Sequence, residues 1–236
     1  MKKILAYIFI SFFLISCNKQ DNPVINQNSS LPYMVLNVGD VRQLQSEFDG
    51  FFYTIEIVEK TFRRDGLEVY KQLETVSFQN EIIQNESYVS ITDGYFMLTS
   101  LDTVDLEWEN NPYHEMKLIN IYPTDGEIFL VNEGAPDSLK DAFYVQLKDS
   151  LLTKCGTFKN VAVNTMMSVA PDYERVVFYL EKLGYAGTQM VINGKPVNIR
   201  LHYLKIDEQE YGIFYPYKIG DKKKTNKLNS SFNLFK

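Results

Sequence analysis

The sequence predicts a mainly β protein, an antiparallel meander curled into a barrel-like or sandwich body, and three observations carry that prediction. Aromatic residues make up 14% of the chain, with 16 Tyr and 16 Phe, and flat rings suit the pleated surface of a sheet. Apolar residues recur with period two over long stretches, as half-buried strands require. Five pairs, Asp49-Gly50, Asp65-Gly66, Asp93-Gly94, Asp125-Gly126 and Asn193-Gly194, punctuate these stretches, and such pairs supply the positive φ angles of tight hairpin turns. At 236 residues, 45% hydrophobic and 23% charged, the composition excludes bulk disorder and a polytopic membrane protein. A formal charge of −6 speaks against a nucleic-acid partner, because phosphates are neutralised by Lys and Arg.

Residues 1–16 read as a signal peptide. Lys2 and Lys3 form a positive start, and Ile4 to Ile15 is an apolar run interrupted by Ser11, shorter than the about 20 residues of a membrane-spanning helix. The following Leu14-Ile15-Ser16-Cys17 resembles the lipobox of bacterial lipoproteins. That resemblance implies cleavage after Ser16, a diacylglyceryl group on the Cys17 sulfur and acylation of the new amino group, with palmitate among the chains. Each buried methylene contributes about 0.8 kcal/mol, so two or three chains hold a protein on a membrane without any spanning segment. Cleavage takes the chain from 236 residues and a charge of −6 to 220 residues and a charge of −8. Asn18 follows the cysteine, where Asp marks retention at the inner membrane in such lipoproteins, so the resemblance favours the outer membrane. With Cys17 lipidated, Cys155 has no intramolecular partner and the fold cannot rest on an internal disulfide.

Residues 17–31 read as a lipidated N-terminus and flexible tether, rich in Asn, Gln and Ser, which as coil would hold the body roughly 20 Å from the bilayer. The β-rich domain is expected over residues 32–218. Phe51, Tyr53, Ile55 and Ile57 share one strand face, and Tyr88 to Ile91 turns at Asp93-Gly94 into Tyr95 to Leu98. Pro136 to Asp141 fits one helical turn with Asp137 as its N-cap. Asp172 to Glu181 fits helix or strand, its Val176-Val177-Phe178-Tyr179 centre favouring strand. The clearest hairpin runs from Gln189 to Ile192, turns at Asn193-Gly194 and returns through Val197, Ile199, Leu201 and Tyr203 on one face, with Asn198, Arg200 and His202 opposite. Ten or more such strands accumulate twist and must curl, close or fold into a second layer. There is an internal echo: Tyr53-x-Ile55-x-Ile57 precedes Gly66 as Phe143-x-Val145-x-Leu147 precedes Gly156, from duplication or from the shared grammar of hairpins. Residues 219–236 form a basic polar tail with Lys222, Lys223, Lys224 and Lys227, either solvated or in contact with anionic lipid.

Within the body, Leu36 to Val41, Ile121 to Glu127, Gly156-Thr157-Phe158-Lys159-Asn160-Val161 and Leu183-Gly184 are similar to landmarks of small β-rich envelope lipoproteins of bacteria. Those carry a Trp after the second landmark, where this chain has Phe129 nearby. The resemblance implies paired strands and brings no catalytic residue.

Chemistry-bearing residues are few. Nucleophilic catalysis needs a base, most often His, and the chain has His114, in a turn-like segment, and His202, on a polar strand face; both read as solvent-facing. Cys155, beside Gly156, reads as a small loop residue, since activation needs an electropositive niche. Neither HExxH nor CxxC occurs, so no metal site is expected. No phosphate-binding or dinucleotide fingerprint occurs, so no cofactor is expected. The run from Asp102 to Glu109 aligns Asp105, Glu107 and Glu109 on one face: a solvated strand face, a calcium site, or paired carboxylates. The rings of Phe51-Phe52 and of Tyr211 to Tyr217 exceed what one buried face absorbs, so some should be exposed. Two functions stay open. One is a non-enzymatic, membrane-anchored envelope lipoprotein that binds an envelope protein or an apolar or glycan ligand. The other is an envelope hydrolase using Asp105, Glu107 and Glu109.

Overall fold

The structure, a computed structural model, describes residues 24–25, 31–47, 50–78, 81–103, 113–133, 141–167, 175–192, 194–216 and 222–225. After β1 (Val24–Ile25), six strands follow one another as antiparallel neighbours: β2 (Val41–Ser46), β3 (Phe52–Phe62), β4 (Glu68–Phe78), β5 (Glu81–Thr92), β6 (Tyr95–Thr99) and β7 (Met116–Asn120). Six more do the same: β8 (Ile128–Leu130), β9 (Ala142–Thr153), β10 (Gly156–Met167), β11 (Arg175–Leu180), β12 (Gly184–Ile192) and β13 (Lys195–Ile206). The chain ends in β14 (Gln209–Gly212) and β15 (Lys222–Thr225). The glycines of all five turn pairs lie between consecutive strands, with φ between 71° and 86°. Within the Asp172 to Glu181 segment, Arg175–Leu180 forms strand β11; the helical turn expected from Pro136 to Asp141 falls, except for Asp141, on residues 134–140, outside the described residues.

Closure comes from β13, which pairs antiparallel with β2, so the last strand of the meander lies beside the first. The remaining seam, between β7 and β8, is bridged by the Lys117 N–H donating to the Val131 carbonyl at 2.8 Å. The Asn164 amide donates to the Leu118 carbonyl at 3.0 Å. The result is one antiparallel sheet of twelve strands nearly closed into a barrel, as the twist of so long a meander requires. Its interior holds Ile57, Val89, Phe96, Ile119, Phe129, Phe143, Val145, Val177 and Tyr179. Residues 31–40 pack against one end: Lys182 N–H donates to the Pro32 carbonyl and Tyr33 N–H to the Ile121 carbonyl, while Tyr33, Met34 and Leu36 join the interior cluster.

A second apolar cluster lies where the β9–β10 hairpin folds back on the sheet. Asn160 adopts a left-handed φ of 54°, which bends β10. The Lys154 N–H then reaches the Leu201 carbonyl at 3.1 Å, and Cys155 and Phe158 are buried with Leu180, Leu201 and Leu204. The expectation that Val197, Ile199, Leu201 and Tyr203 share one face is corrected here. An irregularity between Leu201 and Tyr203 breaks the alternation: Val197 and Ile199 pack with Leu44 and Tyr53, Leu201 joins the second cluster, and Tyr203 meets the Phe214 ring.

Both terminal strands cover open sheet edges. β1 pairs in parallel with Thr157 and Phe158, below the Val161 to Thr165 stretch of β10 that β11 takes. β15 pairs in parallel with Glu81 to Gln84, above the Tyr88 to Thr92 stretch of β5 that β6 takes. Unpaired edges template association with other chains. β1 lies within the stretch read as a tether, and β15 within the stretch read as a tail.

Candidate functional site

The barrel encloses a cavity of about 160 Å³ with a mainly apolar wall. Phe96, Leu98, Met116, Leu118, Phe143 and Val177 supply much of that wall, because alternation on β6, β7, β9 and β11 turns them inward. Gln72, Glu74 and Arg175 also line it. Glu74, 2% exposed, accepts hydrogen bonds from the Tyr53 hydroxyl at 2.8 Å, the Gln72 amide at 2.9 Å and the Ser87 hydroxyl at 2.7 Å. These four side chains come from three adjacent strands, with Tyr53 paired to Val76, and Gln72 to Ser87, in register. A buried carboxyl group demands such donors.

Three phenols stand near it. Burial pushes the Tyr53 hydroxyl well above the usual phenol range, and the neighbouring Glu74 pushes it further. Tyr179 is raised by burial, and Tyr185, also by burial, to about 12; Arg175 opposes the rise at all three. All three stay neutral donors at physiological pH. Next to this group, fully buried Arg42 donates through Nε and Nη2 to the Leu183 carbonyl at 3.1 and 3.0 Å. Its guanidinium pKa is lowered by burial and supported by Asp40. By size the cavity matches those that admit a benzene-sized molecule and falls below the roughly 300–1,000 Å³ of pockets for larger ligands.

A second constellation lies on the outer surface. Beyond β14 the chain crosses β2 and β3, where the Tyr215 N–H donates to Gln43 Oε1 at 2.8 Å and Gln43 Nε2 donates to the Tyr215 carbonyl at 3.0 Å. The Tyr215 ring stacks on Phe52 with centroids 4.4 Å apart and planes 4° from parallel, while His202 meets Phe52 edge-on at 5.2 Å. Ile213, Phe214 and Tyr215 remain 66%, 38% and 43% exposed. Some rings of this stretch are thus exposed, as expected, while Tyr211 packs against the second cluster; Tyr217 lies outside the described residues.

His202 is not the solvent-facing residue that strand alternation suggests. Its Nδ1 is buried without a hydrogen-bond partner, and its pKa is lowered first by burial and then by nearby Lys154. Cys155 is a buried free thiol, pushed up to about 11 by burial despite the Thr153 hydroxyl beside it. Such a thiol is protonated and inert at neutral pH. His114 sits just ahead of β7 with a left-handed φ of 51°. Asp105, Glu107 and Glu109, like Ser16 and Cys17, fall outside the described residues. Among the described residues no group of three or more His, Cys, Asp or Glu side chains gathers to hold a metal ion.

Sequence reasoning missed Glu74. In Lys71-Gln72-Leu73-Glu74-Thr75-Val76, simple polarity points Leu73 inward and Glu74 outward. The structure does the reverse, because Tyr53 and Ser87 on the neighbouring strands meet the carboxyl group inside. No local signal marks that choice.

No family model matches the chain, and no curated protein matches it. Two solved structures are similar in outline. One is a candidate lipoprotein from Parabacteroides distasonis, 12% identical with a TM-score of 0.46, covering 75% of this chain and 100% of that one. The other is a candidate exported protein with a YmcC-like fold from Bacteroides fragilis, 11% identical with a TM-score of 0.47 and the same coverage.

Proposed function

We propose that this chain is a lipid-anchored protein of the cell envelope, at the outer rather than the inner membrane. In this reading it works by binding an envelope protein, or an apolar or glycan ligand, and not by turnover. The reading is carried by the front of the sequence, where a positive start, a short apolar run and Leu14-Ile15-Ser16-Cys17 stand in the order that lipidation requires. Two features of the body support binding. The Glu74 carboxyl group is occupied by Tyr53, Gln72 and Ser87, so its role is structural. The rings exposed at Phe214 and Tyr215 offer apolar faces of the kind that stack on sugars or anchor protein contacts.

The test is metabolic labelling with radioactive palmitate, followed by membrane fractionation. Label and membrane association are expected in the unsubstituted chain, and both are expected to vanish in Cys17→Ser. Equal label in the two chains removes the reading.

A further inference from the structure

We propose that the turn end of the β9–β10 hairpin, together with residues 213–215, is the surface this protein lays on the bilayer. The inference rests on the lipid anchor at Cys17 proposed above and adds an orientation to it.

The first argument is one of reach. β1 runs parallel to the start of β10, Val24 beside Thr157 and Ile25 beside Phe158, so it enters the sheet from the side of the β9–β10 turn. Val24 is seven residues from Cys17, and seven extended residues span at most about 25 Å. From Thr157 the strand bends at Asn160 before running on to Met167. With β1 paired, an acylated Cys17 lies within that reach of the β9–β10 turn, and the turn side of β10 is the side from which the anchored chain arrives.

The side chains at that end suit a bilayer. Leu152, paired with Thr157 in register, is 68% exposed. Lys154 and Lys159 are exposed beside it. The hairpin from residue 142 to 167 carries three lysines against Asp149 alone, a local positive patch on an acidic protein. Lysines near an anionic lipid surface are drawn to it, and their stems lie along apolar surface while the ammonium groups stay wet. Residues 213–215 begin at the same place: a Cβ on Gly212 would collide with the His202 carbonyl oxygen and the Cys155 side chain, so Gly212 is pressed against the hairpin turn. The exposed Ile213, Phe214 and Tyr215 lead away from that turn and add aromatic rings of the kind enriched at membrane interfaces.

The occupant is a bilayer with anionic headgroups. The test uses the lipidated full chain in phosphatidylethanolamine–phosphatidylglycerol vesicles containing acyl-brominated lipid. Trp108 is the one tryptophan of the sequence; in a Trp108→Phe background, one tryptophan is introduced at a time as Leu152→Trp, Ile213→Trp or Ile128→Trp. Ile128 is also exposed but pairs with Tyr144, eight residues along β9 from Leu152 and beyond the bend at Asn160. Fluorescence at positions 152 and 213 should fall at least twofold, and at 128 hardly at all. Amide exchange of the unsubstituted lipidated chain gives an independent readout, with slowing at residues 151–154 and 213–215 in vesicles relative to detergent. Palmitate is measured on the same samples. Its absence overturns the anchor and this inference together. Its presence with position 152 unquenched, or with 128 quenched as strongly, overturns the orientation alone.

Discussion

Replacing Glu74 by alanine should be among the most damaging single changes available in the barrel wall. The carboxyl group accepts from Tyr53, Gln72 and Ser87, and of these three donors Gln72 has another acceptor, the Ser87 hydroxyl oxygen at 3.3 Å, while the Tyr53 and Ser87 O–H groups lose theirs. A buried donor left without its acceptor costs about 1–3 kcal/mol. Two hydroxyls stranded in this way, after some relaxation into the adjoining cavity, give a loss of about 3 kcal/mol. With a urea slope of about 3 kcal/mol/M for a chain of this length, the midpoint should fall by about 1 M. Glu74→Gln retains one carbonyl oxygen and should lose only about 1 kcal/mol. In a double-mutant cycle, Tyr53→Phe should recover about 1 kcal/mol of the Glu74→Ala loss, because the stranded hydroxyl is gone. The measurement is urea unfolding of the mature chain carrying Cys17→Ser, followed by circular dichroism. A Glu74→Ala midpoint within experimental error of the parent, or a Glu74→Gln chain less stable than Glu74→Ala, would refute the account of the interior.

Alkaline conditions should weaken the fold. Cys155 is raised to about 11 and Tyr185 to about 12 by burial. Their contribution is complete below the unfolded values near 9 and 10 and is lost as pH rises through the folded ones. Melting temperature should therefore decline from about pH 9 to 12, and less steeply in Cys155→Ala. Gly187→Ala should cost about 2–4 kcal/mol, because the added Cβ would strike the Ile199 carbonyl oxygen at a φ of 141°; thermal melts check it. His202 titrates below its ordinary value through burial and Lys154. Phe52→Ala, which uncovers the ring, should move the imidazole pKa upward in an NMR titration, and Lys154→Gln should do the same.

The hairpins were legible because their signals are local. Asp93-Gly94 and Asn193-Gly194 each join two strands within a dozen residues of one another, and a turn pair with alternating neighbours specifies that pairing without help from the rest of the chain. The exposure of some rings after Tyr211 was legible too, since a strand has one inner face: Tyr211 packs against the second cluster while Phe214 and Tyr215 stay exposed. Glu74 and His202 were not legible. Each follows an alternation whose inward phase is set by the neighbouring strands, and on β13 the irregularity after Leu201 resets the phase altogether.

What the amino-acid order determined alone is the class of the fold and its sequence of neighbours, because side-chain period and turn chemistry act over a few residues. Tertiary structure decided the rest. The pairing of β13 with β2 joins segments some 160 residues apart, so no window of sequence announces it. The fold-back of the β9–β10 hairpin onto Leu201 and the seating of β1 against Thr157 likewise depend on which edges the closed sheet leaves open. Unpaired backbone groups at such edges favour whatever strand can reach them, and reach is a property of the assembled barrel rather than of any stretch of chain.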